Sequence, residues 1–132
     1  VRGTGRTVAR GAGVMMPVGP ATRIFLAAGA TDLRKSFEGL SDLVRHRFQE
    51  DPLSGHLFVF ANRHRTRLKL LYWDGSGLWV CAKRLEQGCF SWPRTATEET
   101  GALRIVAEEL TLLISGIDLE KTRVRQWWRK AA

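Results

Sequence analysis

The feature that most constrains the fold is the Asp74-Gly75 dipeptide, which separates two segments that are typical of β-strands. Thr66 to Trp73 precedes it and Leu78 to Arg84 follows it, and both are rich in apolar, aromatic and basic side chains. Asp-Gly favours a hairpin because both residues accept the positive φ that a tight turn needs. The sequence therefore predicts a β-hairpin closed by a two-residue turn or by a four-residue loop over 74–77.

Three further strands are predicted around this hairpin. Arg23 to Ala28 is expected to form the first strand, and His56 to Ala61 the strand that leads through a turn over 62–65 into the hairpin. Cys89 to Trp92 is predicted as a short edge strand, which ends at Pro93 because proline cannot donate a ladder hydrogen bond.

Both turn lengths give the hairpin the same parity, so the side chains divide between two faces in one way. One face is almost wholly apolar and is expected to lie against helices: Leu57, Val59, Leu68, Leu70, Tyr72, Trp79, Cys81, Phe90 and Trp92. The other face mixes rings with cations and is expected to be partly exposed to solvent: Phe58, Phe60, Arg67, Lys69, Leu71, Trp73, Val80 and Arg84. The alternative expectation is that a helix covers the second face and buries its rings in the core.

Two helices are predicted from apolar residues at spacings of three and four. The first extends from Leu33 to Phe48, with Thr31 or Asp32 as its N-terminal cap, and ends before Pro52. The second extends from Leu103 to Ile114, with Gly116 as its stop. The predicted fold class is α+β, with an antiparallel sheet of four to five strands packed by two main helices.

Length and composition predict one folded domain with flexible ends. The 132 residues suffice for one hydrophobic core. Residues 1–20 are predicted to be a flexible basic segment, 21–118 the folded domain, and 119–132 a basic tail that contains Trp127 and Trp128. Met15 or Met16 is a candidate true start of the protein.

The charge balance bears on partners and location. A net charge of +8, from 21 basic and 13 acidic residues, favours a polyanion such as nucleic acid over a small-molecule substrate. Cys81 and Cys89 lack metal-binding spacing, and two thiols in a domain with a good core suit a reducing cytoplasm, a disulfide between them being the alternative. Neither a membrane span nor a signal-peptide pattern is expected.

The densest positive segment is the turn that joins the second and third predicted strands. Cations on a hairpin can pair with phosphates, and aromatic rings can stack on bases. The predicted nucleic-acid-binding residues are therefore Arg63, Arg65, Arg67, Lys69, Lys83 and Arg84, with Arg34 and Lys35 as secondary contacts and Trp73 as a stacking ring. A solvated turn without a ligand is the alternative interpretation.

No set of residues predicts catalysis. The carboxylates are scattered, His46, His56 and His64 are not at metal-ligand spacing, and Gly75 and Gly77 serve a hairpin. We therefore expect no enzyme activity, no cofactor and no metal. A structural or hydrogen-bonding role is expected for His56.

Several linked motifs, in order, resemble a known family. They are Thr31 to Leu40, Asp51 to Phe60, Leu70 to Gly75, Ala82 to Glu86 and Gly88 to Pro93, with a looser match over Gly116 to Asp118. Together these segments resemble the small accessory protein of IS-sixty-six-type insertion sequences, the product of the second open reading frame, often called TnpB and distinct from the RNA-guided nuclease of that name. The resemblance covers roughly residues 16–118.

The resemblance implies a bacterial accessory factor in DNA transposition that works beside a separate, larger transposase. Two functions are then expected as alternatives. The first is DNA binding through the basic hairpin surface. The second is a protein-interaction module that docks the transposase, or another element-encoded protein, without contacting DNA. A cryptic nuclease is a third, less favoured, interpretation.

Overall fold

The computed structural model describes residues 18–93 and 101–116 and the backbone of 129–130. In chain order the elements are β1 (Ile24–Ala27), α1 (Phe37–Leu43), a π-helical segment (Val44–Phe48) that continues α1, β2 (Leu57–Ala61), β3 (Arg67–Trp73), β4 (Leu78–Arg84), β5 (Ala102–Ile105), α2 (Ala107–Ile114) and the two-residue β6 (Arg129–Lys130).

These strands form one sheet in the order β4-β3-β2-β1-β5-β6, and the α+β fold class is confirmed. The sheet is mostly antiparallel, but β1 and β2 pair in parallel, with Ile24 opposite Leu57 and Leu26 opposite Val59. The parallel pair follows from the chain path, because α1 carries the chain back to the end of the sheet at which β1 began.

Each face of the sheet is covered by a helix, so the core has two layers. On one face α2 and residues 85–93 enclose a cluster that includes Leu26, Val59 and Leu70. On the other face α1 and the π-helical segment enclose Phe25, Phe58, Phe60 and Leu71. We call these the α2 face and the α1 face.

The predicted division of side chains between the faces is confirmed by the register, with Leu71 opposite Phe58 and Val80. The expectation that the second face is partly exposed is confirmed at Arg67 and Arg84 but is wrong at the centre of the face. Phe58 and Phe60 are fully buried, because Phe48 of the π-helical segment packs against both rings. Helical cover, the competing expectation, is what the structure shows there.

The hairpin closes through the four-residue loop over 74–77, since Trp73 pairs with Leu78. Asp74 organises the loop: its carboxylate accepts hydrogen bonds from the backbone N–H groups of Ser76 and Gly77 and from the indole of Trp79. These donors, the indole first, hold the pKa of Asp74 well below its usual range. The Asp74 carboxylate thus adds to the backbone bond from the Asp74 N–H to the Gly77 carbonyl oxygen and holds the loop closed.

Three local predictions are wrong. The helix predicted from Leu103 begins at Ala107, because residues 102–105 pair with β1 as strand β5 and are mostly buried. Residues 89–92 form no strand; they cross the α2 face with Phe90 and Trp92 buried in the core. The first helix begins at Phe37, and the Asp32 carboxylate accepts from the N–H of Arg34 in a turn that precedes it.

Other predictions concern residues outside the described ranges. They are the flexible segment 1–20 over its first 17 residues, the loop over 94–100, and the tail over 119–132 except for the backbone of 129–130. The division into a domain and two flanking segments stays a prediction. Within the described part of the chain, no helix has the length and apolarity that crossing a membrane requires.

Candidate nucleic-acid interface

The cations predicted from the sequence converge because of the strand directions. β1, β2 and β4 all finish at one end of the sheet, and β3 and β5 begin there. The loop after β1, the turn after β2 and the end of β4 therefore lie side by side. We call this the basic end and define it by Arg34, Lys35, Arg63, Arg67, Lys69 and Arg84.

The turn between β2 and β3 is held by the side chain of Asn62. Its Oδ1 accepts from the backbone N–H groups of Thr66 and Arg67, and its Nδ2 donates to the Thr66 hydroxyl. The N–H of Arg65 donates to the carbonyl oxygen of Asn62 at 3.1 Å. Because the Asn62 side chain satisfies the hydrogen-bonding groups of this turn, the loop that carries Arg63 has a defined conformation.

Arg65 points away from solvent and serves the fold. Its guanidinium lies over the Trp92 ring, with Cζ 5.1 Å from the ring centroid, and Nη2 is 3.4 Å from the carbonyl oxygen of Ala28. The carbonyl oxygen of Arg65 accepts from the N–H of Phe90 at 2.7 Å. A half-buried guanidinium stacked on a ring contributes to stability, and it is less accessible to phosphate than its exposed neighbours.

Arg67 and Arg84 are directly opposite each other on β3 and β4, both exposed on the α1 face. Like charges in directly opposite positions are unfavourable unless an anion or a carboxylate compensates them. Glu86 compensates Arg84 at 3.1 Å. Among the described residues, no carboxylate forms an ion pair with Arg67.

Lys69 is the next residue on that face of β3, and it connects the strand to the loop before α1. Its Nζ donates to the carbonyl oxygen of Lys35 at 2.9 Å. The Lys35 ammonium is exposed and, within the described ranges, also lacks an ion pair. Positive charge is thus continuous from Arg84 through Arg67 and Lys69 to Lys35.

Arg34 is highly exposed, with 91% of its side chain accessible, and it pairs with Asp32 at 2.8 Å. The side-chain and backbone hydrogen bonds from Arg34 hold the pKa of Asp32 well below its usual range, and the carboxylate raises the pKa of Arg34 in return. Asp32 therefore stays charged and partly neutralises this corner of the basic end.

The structure places two predicted site residues elsewhere. Lys83 points to the α2 face, where its Nζ donates to the carbonyl oxygen of Ile114 at 2.8 Å and thereby satisfies the C-terminus of α2. Trp73 is at the far end of β3, six residues from Arg67 and so about 20 Å along the strand. Trp73 is therefore distant from the basic end, whereas Lys83 lies at the same end of the sheet but on the opposite face.

Sequence reasoning missed the residues that build the site. The sequence places Asn62 in a turn but does not single out its side chain. The available signal is that Asn side chains in turns commonly hydrogen-bond to backbone groups a few residues on. The structural role of Arg65 has no local signal, because Trp92 is distant in sequence. His56, expected to be structural, accepts from the N–H of Arg23 through Nδ1 at 3.0 Å, at the end of the sheet opposite the basic end.

Other reactive side chains lie outside this site. Cys81 and Cys89 are both free and exposed, so the disulfide alternative is not formed. The Cys81 thiol is partly desolvated on the strand surface, and this desolvation raises its pKa. Over residues 18–93 and 101–116, no group of three or more His, Cys, Asp or Glu side chains could hold a metal ion.

Comparison with known proteins identifies the family that this chain matches. The family model described as "IS66 Orf2 like protein" matches residues 22–124. Uncharacterized protein y4hO of Sinorhizobium fredii is 40% identical over 104 residues, which are 79% of this chain and 88% of the relative. Uncharacterized protein y4jC of the same organism is 39% identical over 111 residues, 83% of this chain and 91% of the relative. No solved structure matches the chain.

Proposed function

The chain belongs to the IS66 Orf2-like family of transposition-associated accessory proteins, and we propose that it acts in transposition by binding DNA through the basic end, without catalysis. The observation that carries the proposal is the opposed pair Arg67 and Arg84, both exposed on neighbouring strands. Glu86 compensates Arg84, whereas no described carboxylate pairs with Arg67. A backbone phosphate at this position would supply the missing anion for Arg67.

The surrounding cations suit a phosphate backbone better than a single small anion. Lys35, Arg63 and Arg67 come from three different segments at one end of the sheet, and the structure shows none of them in an ion pair with a described carboxylate. Spread over several strands and loops, such charges can contact successive phosphates along a duplex. The overall charge of +8 adds long-range attraction.

The test is fluorescence anisotropy with labelled duplexes from the ends of the insertion sequence and with scrambled duplexes, each across a salt series. Wild-type protein is expected to bind with an affinity that falls steeply as salt rises. Arg67→Gln should weaken binding to every duplex and reduce the slope of log affinity against log salt by about 1.

Arg23→Gln is the matched control, because it removes the same charge from an exposed residue next to the start of β1, at the opposite end of the sheet. It should leave the slope nearly unchanged. Equal effects of the two variants would show that only net charge matters and would contradict a site at the basic end. If wild-type protein bound end duplexes and scrambled duplexes with equal affinity, its role would be limited to general electrostatic attraction to DNA.

The competing function is docking of the transposase without DNA contact. A complex with purified transposase that survives nuclease and high salt, together with unmeasurable DNA binding by the wild-type protein, would favour it over our proposal. For the non-catalytic role, linear and supercoiled DNA incubated with Mg²⁺ or Mn²⁺ should remain uncut; cleavage that purifies with the protein would contradict it.

A further inference from the structure

Among the strands that the structure describes, β4 lies at one edge of the sheet, and its pairing with β3 is unbroken over all seven residues from Leu78 to Arg84. An edge strand presents one row of backbone donors and acceptors that no neighbouring strand satisfies. Proline and bulges are common ways of blocking such an edge, and β4 contains neither. The strand is therefore able to pair with another strand.

The side chains of β4 are also accessible. Trp79 is 56% exposed, the largest value among the exposed large apolar residues within the described ranges, and Cys81 to Arg84 are all exposed. Lysine often protects an edge, but Lys83 is held against its own chain by the carbonyl oxygen of Ile114. An exposed tryptophan on an open edge is typical of an interaction surface.

The sequence of β4 is suited to pairing with itself. In an antiparallel pair of two identical seven-residue strands, full overlap occurs only when the middle residue, Cys81, is opposite its own copy. The other pairs are then Leu78 with Arg84, Trp79 with Lys83, and Val80 with Ala82. Both cations are opposite apolar or aromatic side chains, and no two like charges face each other.

We propose that β4 is a self-association surface, and that a second copy of this chain pairs with it in antiparallel fashion about a two-fold axis through Cys81. The two sheets would then form one continuous sheet. Charge compatibility supports a second copy, because this register places Lys83 and Arg84 of each strand opposite uncharged side chains of the other copy. The inference does not depend on DNA binding.

The geometry gives a direct chemical test. Directly opposite residues in an antiparallel pair have Cα atoms about 4.5–5.5 Å apart, within the range that a disulfide bridges. Diamide is the probe: two Cys81 thiols become one disulfide, and diamide takes up the two electrons and two protons. Because partial desolvation raises the pKa of the Cys81 thiol, the reaction is run at mildly alkaline pH.

Cys89 provides the matched control, since it is also a free, exposed thiol. Wild-type protein and Cys89→Ser should give a disulfide-linked dimer on non-reducing gels, whereas Cys81→Ser should give none. A dimer that requires Cys89 instead of Cys81, or no dimer from wild-type protein at high concentration, would overturn the proposed register.

Sedimentation velocity tests the association without a covalent bond. Cys81→Lys would place two ammonium groups opposite each other, and it should raise the concentration needed for half-dimerisation by about tenfold or more. Cys81→Ser should leave that concentration nearly unchanged, and circular dichroism would confirm that both variants fold. Wild-type protein that stays monomeric at every concentration, or equal dimerisation of all three proteins, would overturn the proposal.

Discussion

The indole N–H of Trp92 donates to the carbonyl oxygen of Ala27 at 2.9 Å, in a bond that is buried and joins residues 65 apart in sequence. Ala27 is the last residue of β1, and Trp92 belongs to the segment that crosses the α2 face. Arg65 stacks on the same ring. One tryptophan therefore fixes the end of β1 and the turn after β2 in one position, and these segments flank the basic end.

Trp92→Phe is expected to lower the free energy of unfolding by about 1–3 kcal/mol, because it leaves a buried carbonyl without its donor. Urea denaturation followed by far-UV circular dichroism measures the change. Trp79→Phe is the control, since it makes the same substitution at an exposed ring whose hydrogen-bond partner water can replace. A control loss as large as that of Trp92→Phe would contradict the importance of the buried bond.

Arg65→Ala and Arg63→Ala should have opposite phenotypes, although the two residues are neighbours in one turn. Arg65→Ala removes the contact with Trp92 and should destabilise the fold by about 1–3 kcal/mol. Arg63→Ala removes an exposed charge and should change stability by less than about 0.5 kcal/mol while weakening DNA binding. Thermal unfolding and fluorescence anisotropy on both variants separate the roles; identical profiles would refute the distinction.

Gly101 precedes β5 in a conformation that favours glycine, with φ of +80°, and an added Cβ would be 2.9 Å from the carbonyl oxygen of Arg47. Gly101→Ala is therefore expected to cost at least about 1–3 kcal/mol in unfolding free energy. Gly77→Ala is the comparison, since the space there is open. Chemical denaturation of both variants checks this, and a neutral Gly101→Ala would show that the loop shifts freely.

Stability should depend on pH through His56. Burial, and then the charge of Arg23, lowers the pKa of His56 below its ordinary value of 6.5. The folded state thus favours the neutral ring, whose Nδ1 accepts from the N–H of Arg23. Its contribution to stability is complete above that ordinary value and is lost as the pH falls through it toward the lowered pKa.

His56→Asn should therefore remove part of the stability loss that wild-type protein shows between mildly alkaline and mildly acidic pH. Urea unfolding at a series of pH values measures it. His64→Asn is the control, because His64 is exposed in the turn after β2. A pH profile that changes equally in both variants would exclude a specific contribution from His56.

Local patterns in the sequence determined much of the fold. The hairpin of β3 and β4, the division of side chains between two faces and the apolar stripe of the first helix all follow from nearest-neighbour chemistry: a turn that needs positive φ, a strand period of two and a helix period near 3.6. The motifs that resemble the family are local runs of residues in strands, in the first helix and in the turns between them, so the family resemblance was also evident from sequence.

The remaining features depend on contacts between distant residues. Leu103 fits the helical spacing of the apolar residues that follow it, yet residues 102–105 form β5 because β1 offers an open edge and a buried site for Leu103 and Ile105. Tertiary pairing thus overrides the local helix propensity, which is worth only about 0.2–0.7 kcal/mol per residue.

Contacts between distant residues also decide which cations belong to the candidate site. The sequence identified the cations as a dense positive segment, but it could not separate exposed Arg63 and Arg67 from Arg65, whose ring partner is 27 positions away at Trp92 (92 − 65). It also could not show that Lys83 turns to the opposite face and satisfies α2. Charge and strand periodicity are properties of the sequence, whereas the direction of each cation depends on which distant carbonyl, ring or carboxylate the folded chain places within reach.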